Sequence, residues 1–153
     1  MKTVNAEELA SFVGQPMGQS DWFQIDQERI NSFADATLDH QFIHVDAEKA
    51  KLTPFGGTIA HGFLTLSLLP YFQTTMADMI VPAGLKMGMN YGFDKIRFLA
   101  PVKVDSRVRC VATLKEMTEK KAGQFLFNVE LSVEIEGEEK PALIADWLLM
   151  YFI

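Results

Sequence analysis

Residues 59–79 constrain the fold more than any other segment of the chain. They read IAHGFLTLSLLPYFQTTMADM, and in the first half apolar side chains occupy nearly every face of a helix. A helix that is apolar all round has to be buried on all sides. Pro70 lies inside the segment and is expected to end or kink the helix, because proline removes a backbone hydrogen bond. The rest of the chain must therefore supply the layers that cover this helix.

The second half of the chain provides such a layer, because its apolar residues alternate with polar ones. In the sequence SVEIEG, Val133 and Ile135 face one way while Glu134 and Glu136 face the other, which is typical of a sheet with one wet face. Turn-forming sequences separate the apolar runs. The pattern predicts a turn at 82–84 and strands over 85–98, 105–117, 124–136 and 142–152.

Residues 1–58 predict shorter elements, several of them preceded by a capping residue. These elements are a helix at 6–13 after Asn5, a turn at 14–18, a strand at 20–26, a helix at 27–36 after Asp26 and a helix at 47–52 after Asp46. Helices thus precede one buried helix and a meander of antiparallel strands. The predicted fold class is α+β, in a single domain that spans residues 1–153.

Composition argues against several functional classes. The net charge of −6 does not favour binding to nucleic acid or to a membrane surface. Cys110 is the one cysteine, so the chain can form no internal disulfide and offers no Cys/His cluster for a metal. The N-terminal sequence lacks an apolar signal-peptide core, and no apolar run approaches the roughly 20 residues that span a bilayer. We expect a cytoplasmic protein.

The sequence T-L-D-H-Q-F-I-H-V places Asp39 five residues before His44. A carboxylate and an imidazole that share one loop can act as base and acid on a bound water molecule. By spacing alone, such residues are more often capping and hydrogen-bonding groups. His40, which lies between them, is expected to face solvent.

The sequence T-I-A-H-G-F contains His61 and Gly62 at the expected start of the buried helix. A helix start presents unpaired N–H groups, and a glycine there lets a ligand approach them closely. Such a position could stabilise an oxyanion as it forms. Alternatively, Gly62 permits tight packing and His61 is a satisfied interior histidine.

These motifs occur in one order: D-x4-H, then G-G-T-I-A-H-G, a buried helix, and N-Y-G-F-D-K-I-R-F-L-A-P-V. The arrangement resembles the MaoC-like dehydratases, or (R)-specific enoyl-CoA hydratases, and particularly their short nodulation-protein-N-like branch. The resemblance covers residues 18–110 and extends to the later strands by pattern. It implies the hot-dog fold, a curved antiparallel sheet wrapped around one long helix, usually as a homodimer. Many members have Asn-Pro where this chain has Gln41-Phe42, and His-Gln here fits the nodulation-like branch.

The resemblance also implies a reaction, the reversible syn addition of water to a trans-2-enoyl-CoA to give an (R)-3-hydroxyacyl-CoA. Asp39 and His44 match the family's catalytic pair, and Gly62 matches the glycine whose N–H binds the thioester oxygen. No metal or redox cofactor is needed, because the thioester already activates the alkene and the enolate is the only charge to stabilise; coenzyme A is part of the substrate. Further candidates for substrate binding are Gln41, Phe42, Phe55, His61, Phe63, Leu66 and Asn90, with Lys95, Arg97 and Lys103 for the coenzyme A phosphates.

Two other functions stay open at this point. A hot-dog thioesterase shares the fold and the thioester substrate, but such enzymes generally use a carboxylate on the central helix. Residues 59–76 contain neither Asp nor Glu, which argues against hydrolysis. A non-catalytic acyl-thioester-binding subunit would keep the fold without the chemistry. Loss of Asp39 or His44 would have indicated such a subunit, and both are present.

Overall fold

Two helix caps organise the first part of the chain. In the computed structural model, which describes residues 2–153, Asp26 accepts a hydrogen bond from the Arg29 N–H at 2.9 Å and Asp46 accepts one from the Lys49 N–H at 3.0 Å. Both predicted caps are confirmed. Asn5 forms no such bond, and the predicted helix after it is a 3-10 helix. The elements are β1 (Lys2–Val4), the 3-10 helix (Ala6–Phe12), β2 (Pro16–Gln19), β3 (Phe23–Gln24), α1 (Gln27–Thr37), α2 (Phe42–Val45) and α3 (Ala47–Ala50).

The predicted turn at 14–18 and strand at 20–26 are wrong in their bounds. Strand structure begins earlier, in β2, and is limited to two residues in β3. Both strands pair antiparallel with residues of a later strand, Arg107–Lys121, so tertiary pairing overrides the turn-forming composition. The pairing of β2 shifts register between Pro16 and Gly18. Gly18 has a φ of +86°, which glycine adopts at little steric cost.

The apolar helix is shorter than predicted and is divided in two. It consists of α4 (Gly62–Ser67) and α5 (Leu69–Thr75), with Leu68 between them and Pro70 in the first turn of α5. The predicted break near Pro70 is confirmed. The predicted helix, from Ile59 through Met76, starts too early, since residues 59–61 precede α4, while Met76 ends α5 as expected.

The long strands follow as predicted, but their order in the sheet is not a plain meander. The strands are β4 (Ile80–Pro82), β5 (Met87–Phe98), β6 (Arg107–Lys121), β7 (Gln124–Ile135) and β8 (Leu143–Phe152). Four of them follow one another in space as β6, β7, β8 and β5, with β2 and β3 on the outer side of β6. Strand β5 therefore pairs with β8 and not with β6. A separate parallel pair, β1 with β4, was not predicted.

The connection between β5 and β6 explains this order. It runs beside the residues that lead into α4, where the Ala60 N–H donates to the Val102 carbonyl at 2.7 Å and the Val104 N–H donates to the Thr58 carbonyl at 3.0 Å. The connection thus carries the chain from one edge of the sheet towards the other. It also lies next to the start of α4, which matters for the site described below.

The core lies between one face of the sheet and the inner side of the helix pair. Alternate residues of β7, such as Phe127 and Val133, are fully buried, as is Phe72 of α5. The helix pair is not covered on all sides, contrary to the expectation from its apolar sequence, because Phe63 is 66% exposed and Tyr71 is 44% exposed. Among residues 2–153, no helix combines the length and the apolar character needed to cross a membrane.

Candidate active site

Asp39 lies in the turn that joins α1 to α2. Leu38 ends α1 with a φ of +62°, a left-handed conformation that is uncommon for residues other than glycine, and the chain reverses there. The exposed Asp39 follows, and its Oδ1 accepts a hydrogen bond from the Gln41 N–H at 3.4 Å. His40 is exposed and its Nε2 lies 2.8 Å from Asp35 Oδ1, which confirms that it faces solvent.

His44 is the buried residue of the short helix α2. Its Nδ1 lies 2.7 Å from the Ile59 carbonyl oxygen. Because a carbonyl can only accept, Nδ1 carries a proton and donates it, which leaves the Nε2 lone pair free in the neutral ring. Burial is the main cause that lowers the pKa of His44 below 6.5, and His61 adds to it, while the Ile59 bond and Asp39 oppose it. At neutral pH the ring is therefore uncharged.

His61 contacts both Asp39 and His44. Its Nε2 donates to the backbone carbonyl of Asp39 at 2.9 Å, and its ring stacks on the His44 ring with centroids 3.8 Å apart. The centroid of the Phe33 ring also lies 5.0 Å from the centroid of the His61 ring. His61 is 3% exposed, and its Nδ1 has no hydrogen-bond partner among residues 2–153. The structure thus brings His61 together with Asp39 and His44, although it lies 17 positions after His44 in the sequence.

One ligand-type atom from each of Asp39, His44 and His61 lies within 4.8 Å of the other two. A group of this composition can hold a divalent metal ion. The two rings are nearly parallel, with 25° between their planes, so their in-plane lone pairs cannot both point at one ion about 2 Å away. We interpret the group as an acid–base cluster, and the absence of a metal cofactor stays a prediction.

A cavity of about 420 Å³ opens beside His44. Its wall comes from the start of α4, from the connection between β5 and β6, and from the start of β8. Most of the wall is apolar, and His44 and Thr65 are the polar side chains among the described residues that line it. A space of this size and character suits a small apolar group held near a few polar atoms.

Gly62 lies where this cavity meets the start of α4. A Cβ at this position would lie 2.9 Å from Cδ1 of Phe98, so any larger residue would require the Phe98 ring to move. The Gly62 N–H has no acceptor among residues 2–153, as expected for the first residue of a helix. A free N–H beside a cavity can donate to a ligand oxygen.

Some of the predicted substrate-binding residues reach this site. Phe55 and Phe63 line the cavity, and His61 lies against His44. Gln41 contacts Asp39 through its backbone N–H, while its side-chain amide forms no hydrogen bond among residues 2–153, so its predicted contact with substrate stays a prediction.

Other predicted residues do not line the cavity within this chain. Phe42 is 42% exposed, and Leu66 packs against the core. Asn90 and Arg97 are exposed on β5, where the Arg97 guanidinium donates to the Ile96 carbonyl at 2.8 Å. Their predicted contacts with substrate stay predictions.

The sequence did not reveal two parts of the wall. Residues 98–102 and 142–143 reach the cavity because β5 pairs with β8 at the edge of the sheet. Local periodicity does not encode which strands pair. Thr65 was not predicted as a site residue, because it lies inside an apolar run. A hydroxyl on the buried face of the helix was the signal that could have identified it.

Comparisons with known proteins agree with this geometry. The family model described as "MaoC like domain" matches residues 8–135. The chain is 49% identical to 3-hydroxyacyl-thioester dehydratase Z of Mycobacterium tuberculosis, over 94% of this chain and 93% of the relative. It is 47% identical to nodulation protein N of Rhizobium leguminosarum, over 97% of this chain and 91% of the relative.

A solved structure extends the comparison to the fold. The (R)-hydratase from A. caviae has a TM-score of 0.72 and 20% identity, with 90% of this chain and 94% of that chain covered. This likeness confirms the predicted hot-dog fold. The sequence match over most of the chain confirms the predicted family, including its nodulation-protein-N-like branch. The chain therefore belongs to the MaoC-like dehydratase family, whose members are hydratases and dehydratases of the hydro-lyase class.

Proposed function

We propose that the protein hydrates trans-2-enoyl-CoA reversibly to (R)-3-hydroxyacyl-CoA. The observation that carries the proposal is an exposed carboxylate, Asp39, next to a buried neutral imidazole, His44, at the side of an apolar cavity. The name of the relative with 49% identity, a 3-hydroxyacyl-thioester dehydratase, supports a thioester substrate. Coenzyme A is part of that substrate, and the proposed reaction uses no metal or redox cofactor.

Asp39 and His44 hold one water molecule in this proposal. The carboxylate and the free Nε2 of the imidazole both accept its protons, which leaves an oxygen lone pair directed at the β-carbon of the enoyl group. As the oxygen attacks, the pair takes one proton and then returns it to the α-carbon on the same face. The proposal assigns this proton to the pair as a whole, since the carboxylate and the imidazole contact the same water molecule.

Gly62 stabilises the negative charge that this attack creates. Addition at the β-carbon turns the thioester into an enolate, and negative charge builds on its carbonyl oxygen. The unpaired Gly62 N–H lies at the cavity wall and donates to this oxygen in the proposal. One donor of this kind typically contributes about 10²–10³-fold to kcat.

The acyl chain occupies the apolar cavity and coenzyme A lies at its mouth. Lys103 follows the wall residue Val102 directly and is exposed, so it is well placed to meet a phosphate against the overall charge of −6. Lys95 and Arg97 lie on β5 and are candidates for the same contact.

An assay with crotonyl-CoA and longer trans-2-enoyl-CoAs tests the proposed function. We expect the alkene absorbance to fall and the product to be consumed by an (R)-specific 3-hydroxyacyl-CoA dehydrogenase. Prior treatment with a chelator should leave the rate unchanged, since no metal takes part. Product that only an (S)-specific dehydrogenase consumes would contradict the stereochemistry.

The same assay separates the alternatives. Release of free coenzyme A without loss of the double bond would favour a thioesterase. Neither Asp nor Glu occurs in α4 or α5, which argues against that outcome. Binding of enoyl-CoA by folded protein without turnover at any chain length would favour an acyl-thioester-binding subunit.

We also propose that the protein is a homodimer and that β5 lies in the contact. Strand β5 is 12 residues long and pairs with β8 on one side, while its other edge has no partner strand among residues 2–153. Met87, Met89 and Tyr91 on this strand are 48%, 49% and 64% exposed. A long apolar edge strand left open is prone to pair with another chain.

Sedimentation equilibrium tests this assembly. We expect a mass of twice 17.2 kDa at micromolar concentration and a shift towards monomer in Met89→Lys, because a charge at the contact is costly to desolvate. Leu52→Lys is the matched control, since Leu52 is 89% exposed in a different part of the chain. A monomeric mass for the unaltered protein would contradict the proposal.

A further inference from the structure

The hydroxyl of Thr65, on α4, is buried. The residue is 2% exposed, and its Oγ1 has no hydrogen-bond partner among residues 2–153. Buried polar groups without partners are rare in folded proteins, because they lose water and gain nothing in exchange. Thr65 lines the cavity beside His44, so the group that pairs with it has to come from whatever fills the cavity.

Other hydroxyls on helices of this chain behave differently. Ser67 Oγ donates to the Phe63 carbonyl at 2.7 Å, and Thr37 Oγ1 donates to the Phe33 carbonyl at 2.7 Å. This bond to the carbonyl four residues earlier is the usual way for a helical hydroxyl to be satisfied. Thr65 has the same option at the His61 carbonyl, which accepts only from backbone N–H groups. Its hydroxyl therefore remains available to the cavity that the residue lines.

The chemistry of an enoyl thioester limits what this hydroxyl can contact. Asp39 and His44 engage the attacking water in the proposed function, and most of the cavity wall is apolar. The remaining strong acceptor on the acyl group is the thioester carbonyl oxygen. Gly62 and Thr65 are three residues apart on one helix, which places them on the same side and about 4.5 Å apart along its axis.

We propose that the Thr65 hydroxyl is a second hydrogen-bond donor to the thioester carbonyl oxygen, beside the Gly62 N–H. The inference rests on the proposed function and assigns a further substrate-contacting residue to the same site. An enolate oxygen has room for two donors, and a donor fixed in advance stabilises charge without having to reorganise during the reaction. Thr65 thus favours the transition state more than the ground state.

Thr65→Val tests the inference because it removes the hydroxyl and keeps the shape and the β-branching. We expect kcat to fall by about 10–100-fold and KM to change by less than about 3-fold, since one donor to the oxyanion is lost. We also expect the Tm to rise by about 2–6 °C, because an unpaired buried polar group disappears. Thr65→Ser should keep most of the activity, since it keeps the hydroxyl.

Ser67→Ala is the matched control. It removes a hydroxyl that lies on the same helix but is exposed and hydrogen-bonded to the backbone. We expect its kcat to equal that of the unaltered protein. A Tm of Thr65→Val below that of the unaltered protein, or failure of that variant to fold, would contradict the inference by showing that the hydroxyl has a structural partner.

A spectroscopic measurement reports on the contact without turnover. Bound to Asp39→Asn protein, 2,4-hexadienoyl-CoA should absorb at longer wavelength than in water, because donors to the carbonyl polarise the conjugated system. We expect Asp39→Asn/Thr65→Val to lose part of this shift and Asp39→Asn/Ser67→Ala to keep all of it. If the unaltered protein hydrates enoyl-CoA but Thr65→Val retains both kcat and the shift, the Thr65 inference alone fails. If the unaltered protein hydrates no enoyl-CoA, both proposals fail.

Discussion

Asp39→Asn is expected to lower the kcat for hydration of enoyl-CoA by about 10³-fold, because the substitution removes half of the acid–base pair. Asparagine has nearly the same shape as aspartate, so substrate binding and KM should change little. The Asp39 side chain is 55% exposed, and it accepts a weak hydrogen bond from the Gln41 N–H at 3.4 Å. The Tm should therefore stay within about 2 °C of the unaltered value. Steady-state kinetics on crotonyl-CoA and a thermal melt measure the two effects.

Asp35→Asn is the matched control for this substitution. Asp35 is also an exposed carboxylate beside a histidine, His40, at 2.8 Å, but this pair faces solvent. We expect its kcat to remain within about 2-fold of the unaltered value, as for surface substitutions in general. Equal activity of Asp39→Asn and Asp35→Asn would remove Asp39 from the mechanism.

His44→Gln is expected to lower kcat by about 10²–10³-fold. Glutamine can still place polar atoms near the Ile59 carbonyl, but it cannot accept a proton at neutral pH. His40→Gln is the control, since His40 belongs to the same loop and is exposed. A normal kcat in His44→Gln would contradict the assignment of this histidine.

The pH profile of the unaltered protein adds a second test of His44. Burial lowers its pKa below the ordinary value of 6.5, so the ring is neutral at pH 7 and becomes charged only in more acidic solution. We expect kcat/KM to fall as the pH drops through the lowered pKa of His44, which lies below 6.5, because the charged ring can no longer accept a proton.

The stability of the fold, like kcat/KM, should decrease as the pH falls. Between the lowered pKa of His44 and 6.5, the unfolded chain binds a proton that the folded chain does not. The free energy of unfolding therefore decreases as the pH falls through that window. His44→Gln should reduce this dependence, which denaturant titrations at several pH values would measure.

The fold could be predicted from the sequence where local pattern decides the structure. Alternation along residues such as Val133 and Ile135 identified the long strands, and Asp26 and Asp46 identified two helix starts. Local pattern failed where pairing decides the structure. Pro16–Gln19 forms a strand because β6 offers it an edge, although its composition favours a turn.

The same difference between local pattern and tertiary contact applies to the site. Asp39, His44 and Gly62 could be named from their motifs, because each motif is a short stretch of sequence. The bond from His44 to the Ile59 carbonyl and the stacking of His61 on His44 could not be foreseen, because these contacts join residues 15 and 17 positions apart in sequence through loops without regular periodicity.

The apolar segment at residues 59–79 shows this difference most clearly. By itself the sequence determined that residues 59–79 contain a buried helix interrupted near Pro70, since apolar composition and a missing N–H act locally. Only the tertiary structure decided which face is covered, because that depends on β5 pairing with β8 at the edge of the sheet, away from β6. This arrangement places the segment after β5 against the start of α4. It thereby forms the cavity in which the Thr65 hydroxyl has no partner among residues 2–153.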